Sequence, residues 1–308
     1  MTQRMLPRDT QLANEYTFSR KFIDGYILKE IESNPDMIAK VNHGVQLLTD
    51  WLAKDHGYAS KNHRLAQLAD IDLEELVKQL FVGVAYCQTP ELFTSVTAML
   101  AGRVKFDDKA DSILTVAEIM SVLCLTDAFD IIKGEASDSL VIQSNIPLSD
   151  QLLRYVVQSG YLPPMVCEPE HVSSNYDSGY LTHNDCLILG KANGHSGDIC
   201  LDVINKQNSV ALKLDLDFLK TVEEEPAHDL DTPEKAQQWA EFKRQSYQRY
   251  LLIAQQGNQF WLTNKVDKRG RLYSQGYHIT TQGSGFKKAM IEFAEEEIVE
   301  GVPDAWTT

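Results

Sequence analysis

Between Trp261 and Met290 the chain carries six Lys or Arg side chains (Lys265, Lys268, Arg269, Arg271, Lys287 and Lys288) and one acid, Asp267. The densest part is Asp267-Lys268-Arg269-Gly270-Arg271, three cations and one carboxylate around a single glycine. The whole chain has a formal net charge of -15, so this stretch inverts the sign locally. A positive loop on a negative protein suits an anion, and the most densely charged common polyanion is a nucleic-acid backbone. Gly270 permits a backbone conformation or a close approach that a side chain would block. Arg271 can aim two hydrogen bonds at a phosphate or a base edge. Asp267 can hold that guanidinium, or accept from a ribose 2′-hydroxyl, which only RNA offers. A solvated turn with its charges in water accounts for the same spacing, and a short motif alone does not separate the two.

Other groupings are weaker. His183, Asp185, Cys186, His195 and Cys200 fall within 18 residues. Zinc sites show paired ligands two to four apart, and only His183…Cys186 offers a pair, so no metal site is expected. Gly190-Lys191-Ala192-Asn193-Gly194 lacks the Gly-Lys-Ser/Thr ending of a phosphate loop, and Ser196 has no nucleophile elbow. Five cysteines, odd in number and without a Cys-x-x-Cys pair, suggest reduced thiols. No apolar run approaches the roughly 18–20 residues that span a bilayer, and the start of the chain has no secretory pattern. A net charge of -15 argues against general coating of DNA.

The elements around the basic stretch follow from periodicity. Residues 11–33 predict a helix with Leu12, Tyr16, Ile23, Ile27 and Ile31 on its apolar stripe. Further helices are expected over 36–56 and 63–86, the latter interrupted near Asp70–Asp72. One is expected from Thr89-Pro90, one from Asp107-Asp108 to about Gly134, and one over 148–159. Residues 140–144 read as a strand. From Tyr161 prolines and glycines multiply, with Leu187–Leu189 as a short strand. Residues 199–221 predict a helix and 222–231 an acidic linker. Thr232-Pro233 opens a helix with Trp239, Phe242, Ser246, Tyr250 and Ile253 on one face and Lys243, Arg244 and Arg249 on another. Phe260–Leu262 reads as a strand entering the basic loop and Tyr277–Ile279 leads out of it. A last helix presents Glu292, Glu295, Glu296, Glu297 and Glu300 outward. The expected fold class is mainly α with small β elements (α+β).

The segment Asp267-Lys-Arg-Gly-Arg-Leu-Tyr273 resembles the Asp-x-x-Gly-Arg-x-Tyr motif of the single-subunit RNA polymerases of phages and mitochondria. The resemblance continues through Thr281–Lys288 and a helix over Ala289–Ala294. Upstream, Tyr161–Pro169 followed by Gly179-Tyr180 is similar to the family's Pro-rich segment and Gly-Tyr pair. Ile204-Asn205…Gln207-Asn208…Lys213 is similar to its Ile-Asn-x-x-Gln-Asn helix, and Asp231-Thr-Pro233-Glu234…Trp239…Lys243 to the start of its thumb. The ordered matches run over about half the chain, residues 160–301.

The resemblance implies a layout: a helical N-terminal domain (1–160), its continuation and connector (161–231), a reduced thumb helix (232–258) and the start of a palm (259–308). It implies that Asp267, Arg269, Gly270, Arg271, Tyr273 and Lys288 contact template and RNA–DNA hybrid. The family's two Mg2+-holding aspartates lie further along its sequence than this chain extends, so no catalytic residue and no metal ligand is expected here. The implied protein is the N-terminal, small subunit of a split, two-polypeptide DNA-directed RNA polymerase, inactive alone. A second subunit would carry palm, fingers and Mg2+. The implied setting is phage transcription in the cytoplasm of an infected bacterial host, with no membrane. A short thumb further implies an accessory DNA-binding factor for promoter opening. The rival reading is a non-catalytic single-stranded nucleic-acid-binding or adaptor protein.

Overall fold

Helix dominates and strands are few and short, so the chain is mainly α with small β elements. The computed structural model describes residues 6–134, 139–183, 186–190 and 193–295. Asp185, Lys191, Ala192, Glu296, Glu297 and Glu300, all named above, lie outside the described residues, as do the side chains of Pro233 and Glu234. Two compact units emerge: Arg20–Gly160, and Met1–Ser19 together with Tyr161–Thr308.

The helix expected over 11–33 is two helices, α1 (Pro7–Phe18) and α2 (Arg20–Ser33), separated by extended Ser19. The apolar stripe fails in α1. Its buried residues are Gln11, Asn14, Glu15 and Phe18, while Tyr16 is 45% exposed. A polar face can be buried when each group finds a partner, and here each does. Gln11 Oε1 accepts from the Val166 amide at 2.9 Å, and Asn14 exchanges amide hydrogen bonds with Gln256 at 2.9 Å. Glu15 accepts from Gln11, from the Leu181 and Thr182 amides and from the Thr182 hydroxyl. Burial alone would raise its pKa, but hydrogen bonds from His183, Gln11, Thr182 and Leu181 outweigh burial and hold it at about 2.

In the Arg20–Gly160 unit, α2 buries Ile23, Ile27 and Ile31, four apart on one face. Asn34 caps α3 (Pro35–Leu52), accepting from the Asp36 and Met37 amides, with Pro35 at the first position. The apolar pattern of 63–86 is carried by α4 (Ala59–Ala66) and α5 (Leu73–Val84), the second capped by Asp72. Thr89-Pro90 does not open a helix. Glu91–Leu92 pairs as β1, and α6 (Phe93–Leu100) starts after it. Asp108 caps α7 (Lys109–Leu123), which ends well before Gly134 because Asp127 turns left-handed (φ +56°) and feeds β2 (Phe129–Lys133). β3 (Leu140–Ser144) lies between β1 and β2, antiparallel to both. α8 (Asp150–Gln158) follows its Ser149 cap. Leu80, Phe81, Ile119, Leu123 and Phe129 lie at the centre, with Phe81 edge-on to Phe129 at 6.3 Å. Side chains of this size stabilise by about 1.5–3 kcal/mol each when buried.

In the other unit the helix expected over 199–221 is interrupted. α9 (Leu201–Asn208) gives way to β4 (Leu212–Leu214), and Asp215 caps α10 (Leu216–Thr221). Backbone pairing decides this, since Leu212 meets Phe260 in an isolated bridge and Phe293 in a ladder. Thr232 caps α11 (Pro233–Gln255), accepting from the Lys235 amide at 3.3 Å. Its 23 residues span about 35 Å. Ser246, Tyr250 and Ile253 are buried as expected, but Arg249 is buried too, its guanidinium 4.2 Å above the Phe18 ring. Burial lowers its pKa to about 10. β5 (Asn264–Val266) and β6 (Leu272–Ser274) form a hairpin. Phe260 and Trp261 make isolated bridges before it, and Tyr277–Ile279 is a bend after it. The expected last helix is α12 (Gly285–Ala289) followed by β7 (Ile291–Phe293), which the free edge of β4 takes as a strand.

Candidate nucleic-acid interface

The basic loop is the tip of the β5–β6 hairpin. Three residues, Lys268-Arg269-Gly270, bridge Asp267 and Arg271, closed by Asp267 N–H to Arg271 O and Gly270 N–H to Asp267 O, both 2.9 Å. Gly270 has φ +79°, the left-handed position such a three-residue hairpin requires. A Cβ there would meet nothing within 4 Å, so conformation and not crowding within this chain selects glycine.

Asp267 organises the tip. Its Oδ1 accepts from the Arg269 and Arg271 amides at 2.9 and 3.0 Å. Its Oδ2 takes Arg271 Nε at 2.7 Å and Nη2 at 2.6 Å, with Arg269 Nε at 3.5 Å. Partial desolvation works to raise the Asp267 pKa, but the bonds from Arg271 outweigh it and the carboxyl sits below its ordinary value. The same bonds raise Arg271. Both guanidiniums stay accessible, 64% for Arg269 and 54% for Arg271. The Arg271 guanidinium stands 5.7 Å from the centre of the half-buried Tyr273 ring. The carboxylate therefore fixes the direction of cations that remain free to meet an anion.

Two of the six cations do not join this surface. Lys265 is 8% exposed. Lys287 donates to the Tyr277 carbonyl at 2.6 Å and lies over the Phe242 and Tyr277 rings, and desolvation lowers its pKa. Lys268, Arg269, Arg271 and Lys288 are exposed. Lys288 stands on α12, away in sequence from the tip but on the rim of a concavity of about 480 Å3. Gln207, Asn264, Ser274, Thr281 and Phe293 line the same concavity, so the hairpin base and Lys288 share one wall. Sequence reading gave Gln207 a place in a motif and Asn264 a place at the head of the basic stretch, but assigned neither a role.

Several of the segments quoted for the resemblance meet the stretch that leads into the hairpin. Met165 bridges Trp261. Gly179 packs so closely that a Cβ would lie 2.7 Å from Thr263 Cγ2. Asn208 Oδ1 accepts from the Asn264 amide and side chain at 2.9 and 3.0 Å. Asn205 bonds both backbone groups of Val172 at 2.9 Å. Ile188 bridges Val266, where a strand had been expected. Met165, Gly179, Ile188 and Asn208 thus meet the 261–266 stretch that leads into the basic tip.

His183 joins no metal cluster: among the described residues no three His, Cys, Asp or Glu side chains converge to hold an ion. His183 Nε2 lies 3.0 Å from Ser19 Oγ, and Nδ1 lies 3.5 Å from Glu15 Oε2. A hydroxyl, imidazole and carboxylate in that order can form a nucleophilic relay. Ser19 is only 5% exposed, however, and the trio clamps α1 to the 181–183 loop. No described helix is long and apolar enough to cross a membrane.

The accessible, Asp267-braced guanidiniums of Arg269 and Arg271 offer forked donors that suit an anion, and the neighbouring concavity is lined largely by apolar side chains. No family model matches the chain. It is similar to a probable DNA-directed RNA polymerase of Gelasinospora sp. (strain G114), 27% identical over 160 residues. That match takes in 47% of this chain and 18% of that protein, so the chain spans only a small part of that relative's length. The similarity supports a relationship to DNA-directed RNA polymerases at a coarse level.

Proposed function

We propose that the chain is the template- and hybrid-gripping part of a DNA-directed RNA polymerase of the single-subunit family, in the split form known from phage N-four. The observation that carries this is the Asp267-braced pair Arg269 and Arg271, accessible on a glycine-closed hairpin that the motif-bearing segments support from below. On this reading Arg269 and Arg271 contact backbone phosphates, Gly270 lets a strand pass close, Tyr273 steadies Arg271, and Lys288 adds a phosphate contact from the concavity's rim. The chain itself then contributes no catalytic group. A partner polypeptide supplies the Mg2+-binding aspartates and the nucleotide-binding fingers, and an accessory factor opens promoters. Such a machine would work in the cytoplasm of an infected bacterium.

Purification from the native host or co-expression with its genetic neighbours tests the pairing. A stable one-to-one partner that restores RNA synthesis on single-stranded or pre-melted template is the expected result. In that complex Arg271→Ala should cut elongation strongly while the fold is kept. Nucleic-acid binding that runs without any polymerase partner would instead favour an adaptor.

A further inference from the structure

Away from the basic tip, Tyr161 and Tyr277 form a parallel stack, ring centres 4.0 Å apart and planes 12° apart. Both rings reach solvent, Tyr161 at 51% and Tyr277 at 42% exposure. The stack is held rigid from behind. Phe242 meets Tyr277 edge-on at 5.7 Å, Trp239 stacks on Phe242 at 5.4 Å, and His278 stands edge-on to both tyrosines at 6.3 and 4.9 Å. The Lys287 ammonium sits 5.2 Å from the Tyr277 ring centre, and exposed Lys288 follows it. Exposed paired phenols are a costly way to finish a surface, because apolar ring area in water forgoes burial.

We propose that the Tyr161–Tyr277 stack is a platform for an unpaired nucleobase of a single strand held by this unit. A flat π-system added to the outer face of Tyr161 extends an existing stack without reordering any side chain. Exposed Lys288, next in sequence to Lys287, offers a cation for the phosphate that such a base carries. Phosphate-bearing polymers use both features together, whereas an apolar protein partner would use the rings and leave Lys288 unmatched. Tyr277 follows Arg271 by six residues, a reach of at most about 20 Å of extended chain, so one strand can touch tip and platform. The inference rests on the nucleic-acid reading above for the kind of ligand, and adds a base-dependent site to a phosphate-dependent one.

The test uses the full chain and three probes of about ten units: oligo(dT), oligo(U), and an abasic deoxyribose-phosphate strand. The expected result is that one or both base-bearing strands bind more tightly than the abasic strand. Tyr161→Leu, which keeps apolar bulk without a π-face, should weaken that binding by about 5- to 100-fold, and Tyr161→Trp should retain it. Neither variant should change abasic binding. Whichever of oligo(dT) and oligo(U) shows the larger loss identifies the strand as DNA or RNA. Equal binding of abasic and base-bearing strands, or an unchanged Tyr161→Leu variant of intact fold, overturns the platform. A chain that grips RNA–DNA hybrid through Arg269 and Arg271 but ignores bases fails only this inference. One that prefers bases yet is indifferent to those arginines fails the hybrid-gripping reading instead.

Discussion

The Asn208 side-chain carbonyl accepts two hydrogen bonds from Asn264, one from its backbone amide at 2.9 Å and one from its side chain at 3.0 Å. Asn208 is the last residue of α9 and Asn264 the first of β5. The pair thus joins the end of one element to the root of the hairpin that carries the basic tip. Asn208 is 3% exposed and Asn264 6%, so water does not compete for these bonds. Asn208→Ala should destabilise the unit by about 1–3 kcal/mol, the cost of a buried donor left without its acceptor. Denaturant unfolding checks this, and Asn208→Asp, which keeps an acceptor at that place, should recover part of the loss at neutral pH.

Gly270→Ala should cost about 1 kcal/mol, since the residue holds φ +79° in open space and the penalty is conformational alone. Gly270→Asn should cost less, because Asn tolerates the left-handed region. Amide exchange at the Asp267 and Gly270 N–H groups, the two that close the loop, reads the difference locally.

Salt dependence separates the cations. Binding of an RNA–DNA hybrid should weaken with rising salt, and Arg269→Ala and Arg271→Ala should each reduce the log–log slope by about 1. Lys265→Ala and Lys287→Ala should leave the slope unchanged, since one is buried and the other is held by the Tyr277 carbonyl. Asp267→Asn should keep the charge contacts but loosen Arg271, lowering affinity without lowering the slope.

Acid should unsettle the unit in two overlapping windows. His278 is held at about 4 by burial and by the Arg249 and Lys287 cations, below its ordinary value near 6.5. The folded state therefore disfavours its protonation, and stability present above pH 6.5 falls as pH drops from there to about 4. His278→Gln should flatten that decline in a thermal-unfolding series.

Glu15, held at about 2, acts lower down. Its charged form is favoured by folding, so its contribution is complete above about pH 5 and fades between there and pH 2. The total is about 3 kcal/mol on the usual conversion. Glu15→Gln should reduce the pH dependence in that window, which Asp177, also held at about 2 by bonds from Ser173 and Ser174, shares, and should lower the melting temperature at neutral pH.

Sequence patterning found what single faces dictate. The Ile23-Ile27-Ile31 stripe, the helix starts at Asp108 and Thr232, and the strand at 140–144 follow from local chemistry and are present. It failed where pairing between distant segments decides. Residues 212–214 and 291–293 carry enough apolar spacing to suggest helix, yet each becomes a strand because the other is there. It failed again in α1, whose inward face is polar and is recognisable only from the Glu15 and Gln11 partners more than 150 residues away. At the candidate interface, the turn and its charges were readable from Asp267 to Arg271. The inward Lys265 and Lys287 were not: one is buried, and the rings and carbonyl that hold the other, Phe242 and Tyr277, lie elsewhere in the chain.

The division of the chain has a consequence for biosynthesis. Arg20–Gly160 is continuous, whereas α1 bonds to residues as far along as Gln256. On the ribosome the middle stretch has all its partners first and is free to mature while α1 waits. At about 5–20 residues per second that wait is roughly ten to fifty seconds. Throughout it, a helix with a carboxylate and two amides on its inward side remains in water, where those groups are at home. The polarity that misled pattern reading is thus the property that keeps an early, orphaned helix from sticking to the wrong surface.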